Sequence, residues 1–276
     1  MTDDDVNGGG MDDWAVWQLV DPLLPTGGFA HSQGLEAAAH ARLVAGLDER
    51  VLDQTGWDVD TFCFEAVRNA SSLAVPFVEA ARFAHHPASA SKYPRSFKIS
   101  ADWEWLDRRL DAQLAGNHVA HRASVAMGAA FIRAAIAAYG DDATIGAKLK
   151  DVKRISRVEK SGGHLATTFG AVVGCLGLST RRAARLFAYL TLRDVLSAAT
   201  RLNLVGPLEA AASLRRCSGR CDEMAAEAAL SAAALRTDAP KEHAVAAAVS
   251  RAANTSPLTD LIQGGHDALY SRLFSS

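Results

Sequence analysis

The sequence predicts an all-α fold: a single helical domain of about ten helices over residues 14–276, behind a disordered tail over 1–13. Three observations predict it. Apolar residues recur at three- and four-residue spacing through most of the chain. Alanine, the best helix former, dominates a composition that is 49% hydrophobic. No period-2 run or hairpin dipeptide competes with the helical pattern. At 276 residues the chain can build one sizeable core, and no linker is polar enough to divide it.

The elements follow in order. Met1 to Gly10 has three glycines and no basic or apolar leader region, so it reads as a disordered tail rather than a signal or anchor. A first helix from Trp14 stops near Val20, because Pro22 and Pro25 fix φ and push the residues before them out of the α region. Gly27 and Gly28 allow positive φ or close backbone approach, and a second helix is expected over Ala30 to Ala45, with Leu35, Ala38, Ala39 and Leu43 on one side. Ala45 to Trp57 is broken by Gly46 and Gly56, and with Asp48, Asp53 and Asp58 it suits a connection ending at a helix N-cap. Asp60 to Ala84 is helical, with Phe64, Val67, Leu73, Phe77 and Phe83 recurring, and His85-His86-Pro87 ends it. Residues 88–100, with Pro94 and four serines, read as a linker or insertion.

Asp102 to Leu114 and Val119 to Tyr139 are the next helices, separated near Gly116-Asn117 and closed at Gly140. Lys148 to Arg157 reads as a basic connection into Ser161-Gly162-Gly163. Beyond it Ala166, Gly170, Gly174 and Gly177 keep helical spacing, and small residues so placed let a second helix pack close. Thr180 to Val205, Pro207 to Leu235, Ala239 to Ala253 with Pro240 in its first turn, and Pro257 to Tyr270 behind a Ser256 cap complete the chain. Gly264-Gly265 ends or bends the last of these.

Composition excludes several functions. A net charge of −2 and a pI near 6.5 give no basic stripe, so no nucleic-acid partner is expected. The most apolar stretch, Phe169 to Leu178, is shorter than the about 20 residues a bilayer crossing needs, so no membrane partner is expected. Cys63, Cys175, Cys217 and Cys221 are too scattered for a disulfide framework, which suits a reducing, cytoplasmic setting. There is no phosphate-binding GxxxxGK[ST] loop, no HExxH and no GxSxG, so no catalytic residue, cofactor or metal ligand is assigned.

His164 follows a glycine pair at a helix start, where a ring nitrogen can bond an orphan amide, and His31 follows the same logic in the first loop; neither is assigned to a metal. Cys217 and Cys221 share a helix face, but no histidine lies near them in sequence to complete a site. Arg201 lies among Leu196, Leu202, Leu204 and Val205, one heptad after Asp194, and is expected to be withdrawn from water with a polar partner. Tyr270, Arg272, Leu273 and Phe274 put aromatic, apolar and arginine side chains where a tail is normally polar; such residues anchor interfaces, whether on the chain's own core or on a partner.

Four ordered blocks carry a resemblance. The order Asp21-Pro22-x-Leu24-Pro25-x-Gly27-Gly28-Phe29-x-x-Ser32-x-Gly34-Leu35-Glu36 resembles the opening motif of the F-type urease accessory proteins (UreF family). Gly163-His164 with Phe169-Gly170, then Ser197-Ala198-x-x-Arg201-Leu202 with Gly206, are similar to its middle motifs. Ser256-Pro257-Leu258 with Asp260, and His266-Asp267-Ala268-Leu269-Tyr270-Ser271-Arg272-Leu273-Phe274, are similar to its C-terminal signature. Val20 stands where many members have serine, and Thr167 where many have proline.

The resemblance implies a non-catalytic urease maturation factor. It would join the D/H-type accessory protein to the G-type GTPase, regulate GTP hydrolysis, and support delivery of nickel, and of carbon dioxide for a lysine carbamate, to apo-urease. A homodimer is implied as well. Partner-binding roles fall on His266, Tyr270, Arg272, Leu273, Phe274 and Arg201, and the opening motif with His164 forms the structured loop. Two alternatives stay open: a metallochaperone that itself holds nickel, and an all-helical enzyme using His164 with Asp21 or Asp260 as acid and base.

Overall fold

Every residue of Val75–His85 is buried, and so is all of Leu165–Cys175 except its first residue. These two segments form the centre around which the rest is laid. The structure is a computed structural model that describes residues 13–44, 57–92, 99–158 and 162–276. In order the helices are α1 (Asp13–Val20), α2 (Leu35–His40), α3 (Val59–Asn69), α4 (Val75–His85), α5 (Pro87–Lys92), α6 (Ile99–Leu114), α7 (His118–Tyr139), α8 (Ala143–Val158), α9 (Leu165–Cys175), α10 (Thr180–Arg201), α11 (Pro207–Asp238), α12 (Ala244–Ala248) and α13 (Pro257–Gly264). Among the described residues there is no strand, as the all-α reading expects.

The α4–α9 contact is backbone on backbone. A Cβ placed on Gly170 would lie 2.5 Å from the Val78 carbonyl oxygen, and one on Gly174 would lie 2.4 Å from that of Arg82. Only glycine permits that approach, which accounts for the small-residue spacing in the sequence. On its other side α9 packs against α7. There a Cβ on Gly128 would lie 2.0 Å from the Gly163 oxygen. Helices α10 and α11 pack along each other and onto α3 and α4, α6 covers α4 and α8, and α13 rests on α2 and α7. At the edge of the central pair lies a buried ion pair. Arg82 donates to Glu79 at 2.6 and 2.9 Å, and its remaining donors reach the Leu178 carbonyl at 3.0 Å and Thr180 Oγ1 at 2.8 Å. Four of its five N–H donors are thus engaged and its charge is paired, the condition under which a buried guanidinium is tolerated.

Several sequence expectations are corrected. The second helix is confined to Leu35–His40. Gln33 and Gly34 adopt φ of 53° and 90° before it, and Arg42 adopts 56° after it. The helix expected over Asp60 to Ala84 is interrupted by a π-turn at Ala70–Ala74. Pro76 explains it: the ring has no N–H for the Ser72 carbonyl, and that oxygen accepts instead from Ala253 N at 3.3 Å. The basic connection at Lys148 to Arg157 is helical, part of α8. Gly146, Leu149, Val152 and Ile155 turn inward at three-residue spacing, a pattern the intervening lysines and arginines obscured.

Part of the 88–100 linker is also helical, in α5 and at the start of α6, and its residues 93–98 lie outside the described residues. So do residues 1–12 of the tail and 45–56 of the first connection. The Thr180 helix ends at Arg201, ahead of Asn203 with φ of 56°. The Pro207 helix runs on to Asp238, and Ala239 to Ala253 resolves into a short 3₁₀ turn, Lys241–His243, and α12. The last helix stops at Gly264, followed by the 3₁₀ turn Gly265–Ala268, so that Leu269 to Phe274 is not helical. Ser256 precedes α13 without capping it, because its hydroxyl is 2.9 Å from Glu65 Oε2. No described helix is long and apolar enough to cross a membrane.

Two predictions follow from this core. Gly170→Val drives a branched side chain into the α4 backbone and lowers stability by about 3 kcal/mol, measured by urea unfolding. His85 is buried and donates Nδ1–H to the Ala81 carbonyl at 2.8 Å. Burial pushes its pKa down to about 4. The unfolded chain therefore takes up this proton first as pH falls, so stability is lost between about pH 6.5 and 4. His85→Gln flattens part of that slope in a stability-versus-pH series.

Candidate functional site

The opening loop and the end of the chain form one surface. Asp21 starts it: its carboxylate accepts from Leu23 N at 2.8 Å and its carbonyl from Leu24 N at 3.0 Å, closing a turn that leaves Pro22 and Pro25 exposed. The glycine pair divides two tasks. Gly27 supplies the left-handed backbone, φ 77°, while Gly28 supplies space, since a Cβ there would lie 2.3 Å from Asp194 Oδ2. Burial raises the Asp194 pKa, and the adjacent Arg193 opposes that shift. Arg193 bonds Asp194 at 2.8 and 3.0 Å and donates to the Val20 carbonyl at 2.7 Å, fastening the end of α1 to α10.

Arg201 departs from expectation. It is exposed rather than withdrawn from water, while its neighbours Leu202 and Leu204 pack against the core. Its guanidinium donates to the Phe29 carbonyl and lies 4.3 Å from the centre of the Phe274 ring. It thus ties the opening loop to the tail.

Glu36 is the second tie. Its side chain is buried on α2 and receives the Leu273 amide at 2.5 Å, the Phe274 amide at 3.1 Å and His266 Nε2 at 2.9 Å. A carboxylate taking two main-chain donors and a ring donor is a specific receptor for this segment. Beside it Ser32 N and Oγ reach the Ser276 oxygen at 2.7 and 3.1 Å, and Ser275 N donates to the Ala30 carbonyl at 2.8 Å. Gly34, with φ 90°, sets α2 in place beneath Gln263. Outside, Asp267 collects Arg122 at 2.9 and 3.0 Å, Arg272 at 2.8 Å and His118 at 3.0 Å, and Arg122 foremost holds its carboxyl well below the usual range.

The tail residues therefore separate into two sets. His266 and Phe274 are buried and committed to the chain's own core. Tyr270 and Leu273 face outward, Tyr270 wholly exposed and Leu273 half exposed, and Phe29 and Leu23 of the opening loop are exposed too.

His164 belongs to a different cluster, at the start of α9. Asp107, buried on α6, accepts the Gly163 and His164 amides at 3.0 and 2.8 Å and the Thr167 hydroxyl at 2.6 Å, so its carboxylate caps the helix. The His164 ring bonds Ser124 Oγ at 3.1 Å and Asp111 Oδ1 at 3.2 Å, and Asp111 also holds His121 at 2.7 Å. Its partners are thus Ser124 and Asp111, not Asp21 or Asp260; Asp260 instead takes Asn117 Nδ2 at 2.7 Å. Asp107, Asp111 and His121 escaped sequence reading. The one signal for them was the four-residue spacing of the two aspartates on α6.

Cys217 and Cys221 share a buried face of α11, as their spacing implies. Burial pushes their thiols up to about 12 and about 11, so neither offers a thiolate near neutral pH.

Comparison with known proteins gives a consistent picture. Residues 59–218 match the UreF family. A protein named urease accessory protein F from Arabidopsis thaliana is 37% identical over 264 residues, covering 95% of this chain and 92% of that one. Its namesake in Oryza sativa subsp. indica is 34% identical over 262 residues, covering 95% and 84%. Urease accessory protein UreF of Paenarthrobacter aurescens strain TC1 is 27% identical over 187 residues, 68% of this chain and 70% of that protein.

The geometry of the tail receptor makes a direct prediction. Glu36→Gln turns one acceptor into a donor facing buried N–H groups, and stability falls by about 1 to 3 kcal/mol in chemical denaturation.

Proposed function

Because the chain belongs to the UreF family of urease accessory proteins, we propose that it is a non-catalytic urease maturation factor that joins a D/H-type accessory protein to a G-type GTPase. By contacting one nucleotide state of that GTPase more tightly than another, it shifts the GTPase population and so regulates hydrolysis. Nickel, with carbon dioxide for the lysine carbamate, then reaches apo-urease from the assembled complex. The reading includes a homodimer and a cytoplasmic setting. It assigns the chain no nucleotide chemistry, since the sequence has no phosphate-binding loop.

The observation that carries the reading is the docked tail. An exposed apolar and aromatic group costs less to present when the backbone beneath it is already ordered, since little further entropy is lost on binding. Tyr270 and Leu273 stand outward on a segment whose amides and flanking residues are held by Glu36, Arg201 and Arg122. Arg272 is engaged by Asp267, and Phe274 and His266 by the core. In this reading those three orient the tail, while Tyr270 and Leu273, with the exposed Phe29 of the opening loop, meet the D/H-type partner.

The structure changes which variant tests this. A chain ended at Asp267 would strip Glu36 of its main-chain partners and so confound binding with stability. Tyr270→Ala combined with Leu273→Ala leaves every hydrogen bond of the tail in place. The double variant is expected to keep its melting temperature and to lose about 2 kcal/mol or more of affinity for the D/H-type protein, measured by titration calorimetry. Undiminished affinity would place the contact elsewhere.

A further inference from the structure

Three side chains from three elements converge at the start of α9. Asp111 from α6, His121 from α7 and His164 each offer one ligand atom, and these atoms lie within 4.8 Å of one another. Both imidazoles already address the same carboxylate oxygen, at 2.7 and 3.2 Å. Tetrahedral coordination at about 2.1 Å would set ligand atoms roughly 3.4 Å apart, within the spread these three atoms already show. The His121 side chain is about one-third exposed, whereas that of His164 is fully buried.

We propose that Asp111, His121 and His164 form a binding site for a divalent cation of the late first transition row. A carboxylate with two imidazoles is the donor set that zinc, nickel and cobalt favour, and is unsuited to calcium or magnesium. Three protein ligands leave positions open to water, and Asp111 and His121 are partly exposed, so the ion can enter and leave from one side.

The surroundings support the assignment. Ser124 Oγ is placed 3.1 Å from His164 Nδ1 and 3.3 Å from the Leu165 amide. Its hydroxyl can donate to Nδ1 when Nε2 carries a proton, and accept from Nδ1–H when Nε2 binds a metal. That is the outer contact that orients ligating histidines. The buried Asp107 carboxylate, bonded to the His164 amide, offsets the positive end of α9.

This inference needs only the isolated chain and so stands or falls separately from the scaffold reading. Cobalt(II) titrated into the purified full-length protein, with visible ligand-field absorption and equilibrium dialysis as readouts, tests it. The expected result is one cobalt per chain with the intense bands of a low-coordinate site, displaced by zinc or nickel. His121→Ala and Asp111→Asn, both at partly exposed positions, abolish those bands, and Ser124→Ala weakens binding about ten- to a hundredfold. Circular dichroism of each variant confirms that it is folded. Wild-type protein that takes up no cobalt, or bands unchanged in folded His121→Ala, would overturn the proposal and leave the cluster as a hydrogen-bonded cap.

Discussion

The contact on which this structure depends is the backbone approach of α4 and α9 at Gly170 and Gly174, where a side chain on either glycine would meet a carbonyl of the facing helix. The approach fixes α9 against α4 on one side, and Gly128 fixes it against α7 on the other. The start of α9 is thereby placed between α6 and α7, where Asp107 caps it and where His164 meets Asp111, His121 and Ser124. A wider crossing would separate the three ligand atoms and uncap the helix. The position of the cluster is thus a consequence of three missing methyl groups.

The surface at the chain end is organised by polar contacts instead. Glu36 lies on α2, and α2 is short because Gln33, Gly34 and Arg42 all adopt positive φ around it. That brevity lets the tail pass alongside and deliver the Leu273 and Phe274 amides to a buried carboxylate. Arg201 supplies the matching contact from α10, binding the Phe29 carbonyl and covering Phe274. Opening motif and C-terminal motif, more than two hundred residues apart in sequence, are one structural unit. The apolar side chains left outside that unit are the ones the proposed function uses.

Much of the fold was legible because it rests on local rules. Pro22 and Pro25 end α1 where their φ constraint requires, the Gly116-Asn117 break separates α6 from α7, and the glycines of α9 signalled a close neighbour. The errors have physical causes. Lys148 to Arg157 read as a connection because charged residues masked a three-residue apolar spacing, and the π-turn came from Pro76 acting on a carbonyl one turn earlier. The site was legible only as a set of motifs. That Glu36 is a receptor, that Gly28 makes room for Asp194, and that His164 has His121 and Asp111 for company are all tertiary facts. Each joins residues from separate elements, which no local pattern encodes.

The tail is docked, through Glu36, in the free chain. Native-state hydrogen exchange on the isolated full-length protein tests it most directly. The amides of Ser32, Leu273, Phe274 and Ser275 are expected to be protected and to open together, less stably than those of α4 and α9. Leu273 and Phe274 amides exchanging at the rate of an unstructured peptide, while α4 and α9 stay protected, would contradict it.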